Sequence, residues 1–300
     1  MKKVYVTGSA GLVGSRFIEL MGDKYNLLTP EINDLNITKI NELSSFWEKE
    51  KPDMVVHFAA ITDVGESENQ RGNMNGSCWK VNVGGTENLT KICKKHGTFM
   101  VNISTDYVFS GGAFDKGPYK ETHKPEKDET KLSWYGYTKA IGEEKVHEIL
   151  GNNTCIVRIV YPVRANYSGK PDYLKKPLQL YREKKLHPLF NDQQISITFI
   201  DEACIAIDKI ISGNRRGIYH VCSSDTTTPY DLISYYIKQL EGDKVKLKSA
   251  SIDDFYKKVN NPVRYPKYGG LDSKWTEKQL NLRLKKCKEI VDELIMQGGE

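Results

Sequence analysis

The glycine-rich segment Thr7–Gly14 constrains the fold of this chain more than any other stretch. It follows an apolar, strand-like run and opens a segment whose apolar residues recur at helical spacing. In this position Gly8 permits a tight turn, Gly11 lets the backbone approach a phosphate, and Gly14 allows the helix to pack closely on the strand. The helix N-terminus offers N–H groups and the positive end of the helix dipole to an anion. We therefore predict a dinucleotide-binding turn whose cofactor contacts are Gly8, Gly11, Leu12, Val13 and Gly14.

Through the first half of the chain, short apolar runs alternate with helix-like segments. Runs such as Met54–Phe58 and Phe99–Ile103 contain few polar residues, which is typical of parallel strands buried on both faces. We predict an α/β fold, a Rossmann-type doubly wound parallel sheet with a smaller C-terminal substrate-binding domain. The predicted bounds are 1–160 for the dinucleotide-binding domain, with about 195–222 returning to it, and 161–300 for the substrate-binding part. Because such sheets bind ligands at the carboxyl ends of their strands, the cleft between the two parts is the expected site.

Length and composition exclude several classes of protein. The chain has 300 residues, of which 39% are hydrophobic and 28% charged, as in ordinary globular domains. No apolar run approaches the roughly 18–20 residues that cross a bilayer, and the N-terminus lacks a signal-peptide pattern, so we expect a cytoplasmic protein without membrane contact. The net charge of +5 is spread along the chain, and no motif predicts a nucleic-acid partner. The cysteines and histidines lack metal-ligand spacing, so we expect reduced thiols and no metal site.

The segment after the second predicted strand leaves the choice of cofactor open. A carboxylate about 20 residues beyond the glycine turn favours NAD because it binds the ribose 2′-hydroxyl, whereas a basic residue favours the 2′-phosphate of NADP. Here Thr29 and Pro30 occupy that position, and Glu31 follows. Arg16 is a candidate partner for a 2′-phosphate, although an ordinary helix-surface arginine is the commoner explanation. NADP and NAD both remain candidates.

Tyr135 and Lys139 stand four residues apart in a helix-like segment, so their side chains share one face of the helix. A phenol ionises at about pH 10, and a nearby ammonium lowers that pKa towards the range useful for acid–base chemistry. Tyr181 and Lys185 repeat the spacing, which we interpret as a chance match on the surface. Thr105 follows a strand-like run one helix earlier and adds a hydroxyl that can orient a carbonyl oxygen.

These elements, in this order and spacing, resemble the extended short-chain dehydrogenase/reductases, and in detail the dTDP-4-dehydrorhamnose reductase subfamily. The segments Ser104–Gly111 and Tyr135–Glu143 are very similar to that subfamily. Further similar segments, the last two in the C-terminal half, are Leu35–Thr38, His57–Ala60, Asn82–Asn88, Asn191–Gln193 and Pro262–Pro266.

The resemblance implies a role for each matching residue. Thr105, Tyr135 and Lys139 would form the catalytic set: Thr105 would hydrogen-bond the keto oxygen, Tyr135 would protonate it, and Lys139 would hold the nicotinamide ribose. The implied cofactor contacts beyond the glycine turn are Asn36 and Ile37 beside the adenine, Ala59 and Ala60 beside the adjoining ribose and phosphate, and Tyr135 and Lys139. The implied substrate contacts are Thr105, Asp106 and Arg264, with Arg264 as a candidate for a phosphate of a nucleotide-sugar substrate.

Two segments depart from this subfamily. The stretch Gln194–Thr198 lacks the usual glycine and proline and is more similar to a strand of sugar-nucleotide epimerases. The segment Asn69–Trp79 is longer than the subfamily's loop, and its glycines and asparagines suggest either a mobile lid or a plain surface loop.

Three functions follow from the resemblance. The first is an NAD(P)H-dependent reductase of a nucleotide-linked 4-keto-6-deoxy sugar, which is favoured over a dehydratase because Tyr107 follows Asp106 where dehydratases place a glutamate. The second is a nucleotide-sugar 4-epimerase with retained NAD. The third is a non-catalytic regulatory subunit of the same fold, since fold does not fix function. The oligomeric state stays open, with a homodimer among the alternatives.

Overall fold

This computed structural model describes residues 1–259 and 262–299, which fall into two compact units. The first unit comprises Met1–Phe109, Lys124–Arg158 and Cys204–Tyr219. The second comprises Ser110–His123, Ile159–Ala203 and the described part of His220–Glu300. Neither unit is a single stretch of sequence. The binding roles that the sequence assigns to two domains stay a prediction.

Strands and short helices alternate along the chain. The strands are β1 (Lys3–Thr7), β2 (Asn26–Leu28), β3 (Met54–His57), β4 (Phe99–Thr105), β5 (Thr154–Ile159), β6 (Pro162–Val163), β7 (Leu189–Phe190), β8 (Thr198–Phe199), β9 (Gly217–His220) and β10 (Ser249–Ala250). The helices are α1 (Leu12–Met21), α2 (Ile40–Glu50), α3 (Val64–Glu68), α4 (Ser77–Trp79), α5 (Thr86–His96), α6 (Trp134–Leu150), α7 (Lys175–Arg182), α8 (Ile200–Ser212), α9 (Pro229–Glu241), α10 (Ile252–Tyr256), α11 (Lys274–Leu280) and α12 (Cys287–Met296). A π-helical stretch, Lys80–Gly85, precedes α5, and short 3₁₀ turns span Asp106–Val108, Glu129–Lys131 and Pro262–Arg264.

The first unit is built on one six-stranded sheet with the order β2-β1-β3-β4-β5-β9. Strand β1 pairs in parallel with β2 and β3, and β3 pairs in parallel with β4. Every residue of β3 and β4 is buried, as expected for strands covered on both faces. The predicted α/β fold with a Rossmann-type parallel sheet is therefore confirmed. Because these strands are parallel, their carboxyl ends at Thr7, His57 and Thr105 lie at one edge of the sheet.

A layer of helices covers this sheet and fixes that edge. Trp47 of α2 and Leu89 of α5 pack with Tyr5 and Val55 of the strands in one buried cluster. The indole N–H of Trp47 donates to the hydroxyl of Thr98 at 3.0 Å. Each helix returns the chain to the amino end of the next strand, so successive loops meet again at the carboxyl edge.

The second unit has its own core and two short pairs of parallel strands, β6 with β8 and β7 with β10. Buried apolar residues of α7, α9 and α12, including Leu178, Ile233 and Ile290, form that core. Ile195 exchanges two backbone hydrogen bonds of 2.9 Å with Thr227. None of the helices in the described part of the chain has the length and apolarity to cross a membrane.

Candidate active site

Two glycines of the turn after β1 lie too close to neighbouring backbone atoms to carry a side chain. Gly8 has a φ of +65°, and a Cβ atom there would lie 2.8 Å from the backbone nitrogen of Ala59. A Cβ atom on Gly14 would collide with the carbonyl oxygen of Gly8. Gly11 is the N-cap of α1 and provides no side-chain acceptor for the first N–H groups of that helix. The turn therefore presents a backbone cradle at the N-terminus of α1, the kind of position at which proteins bind anionic groups.

A buried chain of hydrogen bonds fixes the neighbouring end of β3. The N–H of Ala59 donates to the hydroxyl oxygen of Thr7 at 3.1 Å. Thr7 Oγ1 lies 2.7 Å from Nδ1 of His57, and Nε2 of His57 lies 3.0 Å from Oγ1 of Thr86. Burial lowers the pKa of His57 to about 3, with the charge of Lys139 as a smaller cause. We assign a neutral ring that accepts a hydrogen bond from the Thr7 hydroxyl at Nδ1 and donates one to Thr86 from Nε2, because the Thr7 oxygen already accepts from Ala59.

His57 was not singled out as a functional residue from the sequence. The available signal was a polar residue in the otherwise apolar strand Met54–His57, all of which is buried. A buried polar residue of this kind needs hydrogen-bond partners, and their identity depends on the pairing of β1 with β3.

The residues predicted beside the adenine lie on the connection between β2 and α2. The side-chain oxygen of Asn36 accepts from the N–H of Thr38 at 2.9 Å and from its hydroxyl at 2.8 Å, so this oxygen stabilises the local turn. Ile37 is buried among the residues of the first unit's core. The Asn88 amide donates to the carbonyl of Ile37 at 3.2 Å. Ala59 and Ala60, half-buried, follow β3 directly.

The predicted catalytic side chains meet at the carboxyl end of β4. Thr105 ends that strand, and its hydroxyl hydrogen-bonds the phenol of Tyr135 on the first turn of α6. The ammonium of Lys139, one turn further along α6, donates to the carbonyl of Ile103 at 2.8 Å. Lys139 is only 5% exposed. The Asp106 carboxylate accepts from the hydroxyl of Thr105 at 3.3 Å. The structure therefore brings together Thr105, Asp106, Tyr135 and Lys139, all in the first unit.

Gly136 allows α6 to approach β4 this closely. A Cβ atom at this position would collide with the carbonyl oxygen of Tyr107, in the 3₁₀ turn that follows β4. The ring of Tyr107 lies edge-on to that of Tyr135, with centroids 5.8 Å apart. Ser133 caps the helix by accepting the N–H of Gly136 at 3.1 Å. These contacts fix the first turn of α6 and the phenol it carries.

The two titratable groups of this set are shifted in opposite directions. Burial lowers the pKa of Lys139 to about 8, and the nearby carboxylate of Glu143 acts against that fall. Burial raises the pKa of Tyr135 well above its usual value, while the hydrogen bond with Thr105 lowers it and the charge of Asp106 raises it further. The spacing of Tyr135 and Lys139 predicts a lowered pKa for the phenol; this prediction is wrong in direction, because desolvation outweighs the stabilising contacts.

Arg158 and Glu143 form a buried ion pair behind Lys139. The guanidinium of Arg158 donates to both carboxylate oxygens of Glu143, at 2.9 and 2.7 Å, and Arg158 is 0% exposed. The guanidinium also lies 4.9 Å from the centroid of the Phe109 ring. The sequence analysis gave no role to either residue, although an arginine inside the apolar run of β5 was a signal.

Two buried side-chain oxygens of β4 have no hydrogen-bond partner among the described residues. They are Asn102 Oδ1 and Ser104 Oγ. Buried polar atoms are rarely left without partners. Ser104 directly precedes Thr105, and Asn102 lies two residues earlier on the same strand.

The other residues singled out from the sequence stand on other elements of the chain. Arg264 belongs to the second unit, and its Nε is buried without a partner among the described residues. Arg16 forms a 2.9 Å ion pair with Glu19 on α1. Helix α7 ends at Arg182, so Tyr181 and Lys185 do not share the face of a continuous helix.

The glycine cradle, the parallel sheet and the tyrosine–lysine pair define an NAD(P)-dependent oxidoreductase of the short-chain dehydrogenase/reductase type. Comparison with known families then gives a narrower assignment. Residues 1–299 match the RmlD substrate binding domain, and the chain belongs to this family.

Three proteins similar to this chain carry different names. The chain is 26% identical over 249 residues to a dTDP-4-keto-6-deoxy-D-glucose reductase from Streptomyces niveus, covering 83% of this chain and 82% of the relative. It superposes with a TM-score of 0.85 and 25% identity on the crystal structure of a dTDP-4-dehydrorhamnose reductase from Bacillus anthracis in complex with NADP, covering 99% of this chain and 100% of the other. It is also 27% identical over 251 residues to methionine adenosyltransferase 2 subunit beta from Xenopus laevis, covering 77% of this chain and 70% of the relative.

Proposed function

We propose that this protein is an NAD(P)H-dependent reductase of a nucleotide-linked 4-keto-6-deoxy sugar. The observation that carries the proposal is the hydrogen-bonded pair of Thr105 and Tyr135 beside the buried Lys139. These three groups supply what carbonyl reduction needs from a protein: a hydroxyl that orients the oxygen, an acid that protonates it, and a cation that stabilises the conjugate base. The reductase names of the Streptomyces and Bacillus relatives support the same reaction and substrate class.

The first unit would hold the dinucleotide, and the second unit would contribute substrate contacts. The predicted pyrophosphate contacts are Gly8, Gly11, Leu12, Val13 and Gly14, and the predicted nucleoside contacts are Asn36, Ile37, Ala59, Ala60 and Lys139. Complex formation with NADP in the Bacillus relative favours NADP, and the residues after β2 leave NAD as the alternative.

In this mechanism a bound nicotinamide supplies hydride to the keto carbon. Tyr135 retains its proton at neutral pH because burial raises its pKa, and it transfers that proton to the keto oxygen, so that the carbonyl becomes an alcohol. Thr105 orients that oxygen through its hydroxyl. The charge of Lys139 stabilises the phenolate that remains. Arg264, with a buried Nε that needs an acceptor, would bind a phosphate of the nucleotide.

The turn after β4 favours reduction over elimination of water. Asp106 is followed by Tyr107, whose ring packs on Tyr135 instead of offering a second carboxylate. Elimination across a sugar ring needs an acid and a base at adjacent carbons. Tyr107, whose ring packs against the proton donor Tyr135, does not supply the second acid–base group that elimination needs.

A regulatory role without catalysis is the second candidate, because the chain is also similar to a subunit of methionine adenosyltransferase. A regulatory subunit has no need of a matched proton donor and cation. The assembled Thr105, Tyr135 and Lys139 therefore favour the reductase.

The test is the consumption of NADH or NADPH, followed by absorbance, with a panel of nucleotide-linked 4-keto-6-deoxy sugars. We expect steady oxidation with at least one sugar, and a loss of about 10²–10⁴-fold in kcat for Tyr135→Phe with unchanged cofactor affinity. Tyr181→Phe is the matched control and should behave as the unaltered protein. Oxidation that continues at full rate in Tyr135→Phe would contradict the mechanism. If no sugar causes oxidation of NADH or NADPH, the epimerase and the regulatory subunit remain as alternatives. NAD that stays bound through purification would then favour the epimerase.

A further inference from the structure

We propose that Glu68 and Arg71 form a latch that positions Tyr135, and that both are positioning residues of the reaction. This inference rests on the proposed role of Tyr135 as proton donor. The two residues lie where α3 passes into the segment Asn69–Trp79. The composition of that segment suggested a lid or a plain loop, but the structure fastens it to the start of α6.

Glu68 holds the first N–H group of α6. Its Oε2 accepts the backbone N–H of Trp134 at 2.9 Å, and Trp134 directly precedes Tyr135. The side chain of Glu68 is only 9% exposed. A carboxylate at this place satisfies an N–H group that the helix itself leaves unpaired and interacts favourably with the helix dipole.

Arg71 ties the preceding turn to the same carboxylate. Its Nε donates to Oε1 of Glu68. Its Nη1 donates to the carbonyl of Glu129 at 3.0 Å, and its Nη2 donates to the carbonyl of Leu132 at 2.6 Å. One ion pair therefore holds the backbone at three successive points, residues 129, 132 and 134, that lead into Tyr135. The rigid fork of a guanidinium suits this arrangement, whereas the point charge of a lysine does not.

The other end of the segment is fastened to the same helix. The ring of Trp79 stacks on that of Trp134, with centroids 5.6 Å apart and planes inclined by 25°. Gln70 closes the segment on itself by accepting the N–H of Cys78 at 3.0 Å. Contacts near both ends of the segment, from Arg71 and from Trp79, thus meet at the start of α6, which argues for a latch and against a mobile lid.

The expected consequence is kinetic. The phenol of Tyr135 must meet the keto oxygen at hydrogen-bond distance, and a displacement of about 1 Å can cost about 10²-fold in rate. The glycine turn that binds the cofactor is built from other residues. Loss of the latch should therefore lower kcat and leave cofactor affinity intact.

The experiment compares Arg71→Ala, Arg71→Lys, Glu68→Ala and Glu68→Gln in the full chain. We expect kcat to fall about 10- to 100-fold in the first three, with KM for the sugar and Kd for the dinucleotide within about twofold of the unaltered protein. Glu68→Gln should retain part of the rate, because its single amide oxygen can still accept the N–H of Trp134 but can no longer accept from Arg71 as well. Arg283→Ala, which breaks an exposed 3.0 Å pair with Glu289, is the control and should have no effect.

Hydrogen exchange followed by mass spectrometry gives a readout that needs no substrate. Arg71→Ala should accelerate exchange of residues 129–135 while the strands exchange as before. Unchanged exchange there, or an unchanged kcat, would overturn the latch, as would a Glu68→Gln variant as slow as Glu68→Ala. If Tyr135→Phe is fully active, the proposed function fails; if it is inactive while Arg71→Ala is fully active, only the latch fails.

Discussion

Lys139 and Arg158 are both buried cations of the first unit, but they are bound differently. Arg158 meets both carboxylate oxygens of Glu143, whereas Lys139 donates to the backbone carbonyl of Ile103. A carboxylate neutralises a buried charge, and a carbonyl only solvates it. Arg158 therefore belongs to the structure of the sheet and its helix. Lys139 keeps a charge that burial disfavours, which is typical of groups that act on a ligand.

The largest expected effect is a loss of activity when Lys139, the first of these two cations, is replaced. Lys139→Met should reduce kcat by about 10²–10⁴-fold, since the phenolate of Tyr135 loses the cation that stabilises it. The variant should remain folded, because the lowered pKa of Lys139 means that its charge opposes folding at neutral pH. Turnover and urea unfolding of the same preparation test both statements. If Lys139→Met is unfolded instead, Lys139 stabilises the fold in the same way as Arg158, and the contrast between the two cations is wrong.

Arg158→Met should have the converse effect. It leaves Glu143 buried without its partner, which costs about 3–5 kcal/mol of unfolding free energy. The double variant Arg158→Met with Glu143→Leu should recover most of this loss, because neither member of the ion pair is then left buried without the other. The measurement is urea unfolding of both variants. Equal stabilities for the single and double variants would show that the pair is not the source of the loss.

His57 is a third buried base, and the charge of Lys139 helps to keep it neutral. Its pKa is about 3 in the folded protein and about 6.5 in an unfolded chain. Below about pH 6.5 the unfolded chain therefore binds a proton that the folded chain excludes, and stability falls as the pH falls. Between pH 7 and pH 5 the expected loss is about 2 kcal/mol.

Urea unfolding at several pH values tests this loss. His57→Asn should remove most of the dependence, and His96→Asn, at an exposed position, should retain it. A pH dependence that survives in His57→Asn would assign the effect to other groups.

The smallest expected effect concerns Glu143, whose carboxylate interacts with both Arg158 and Lys139. The carboxylate of Glu143 raises the pKa of Lys139 against the effect of burial. Glu143→Gln keeps a hydrogen-bond acceptor for Arg158 but removes the charge. The alkaline limb of the pH profile of kcat should therefore move to lower pH. Glu148→Gln, exposed on the same helix and paired with Lys145, is the control; an equal shift in both variants would rule out a specific link.

The sequence predicted those parts of the site that depend on local spacing. The glycine turn is formed by Gly8, Gly11 and Gly14 within one short segment. Tyr135 and Lys139 are joined by the geometry of a single helix. Both patterns can be interpreted without knowledge of the tertiary fold, because residues at these spacings are neighbours within one turn or one helix.

The latch, the buried ion pair and the neutral histidine were beyond the reach of sequence spacing. Glu68 and Arg71 read as an ordinary helical i,i+3 pair, and the carbonyls that Arg71 binds lie some 60 residues further along the chain. Arg158 and Glu143 meet only when α6 packs on β5. In each case a polar side chain was visible in the sequence, but its partner was set by tertiary packing.

The last strand of the sheet has a consequence for how the chain is made. Strand β9, Gly217–His220, completes the sheet beside β5, which ends at Ile159. During translation β5 can pair with β4 on one side, but its other edge has no partner strand until the ribosome has released the residues of β9. An unpaired strand edge is a template for pairing with other chains. The interval between the two strands is therefore when the nascent chain is most open to misassembly, and truncated products that end within it should aggregate.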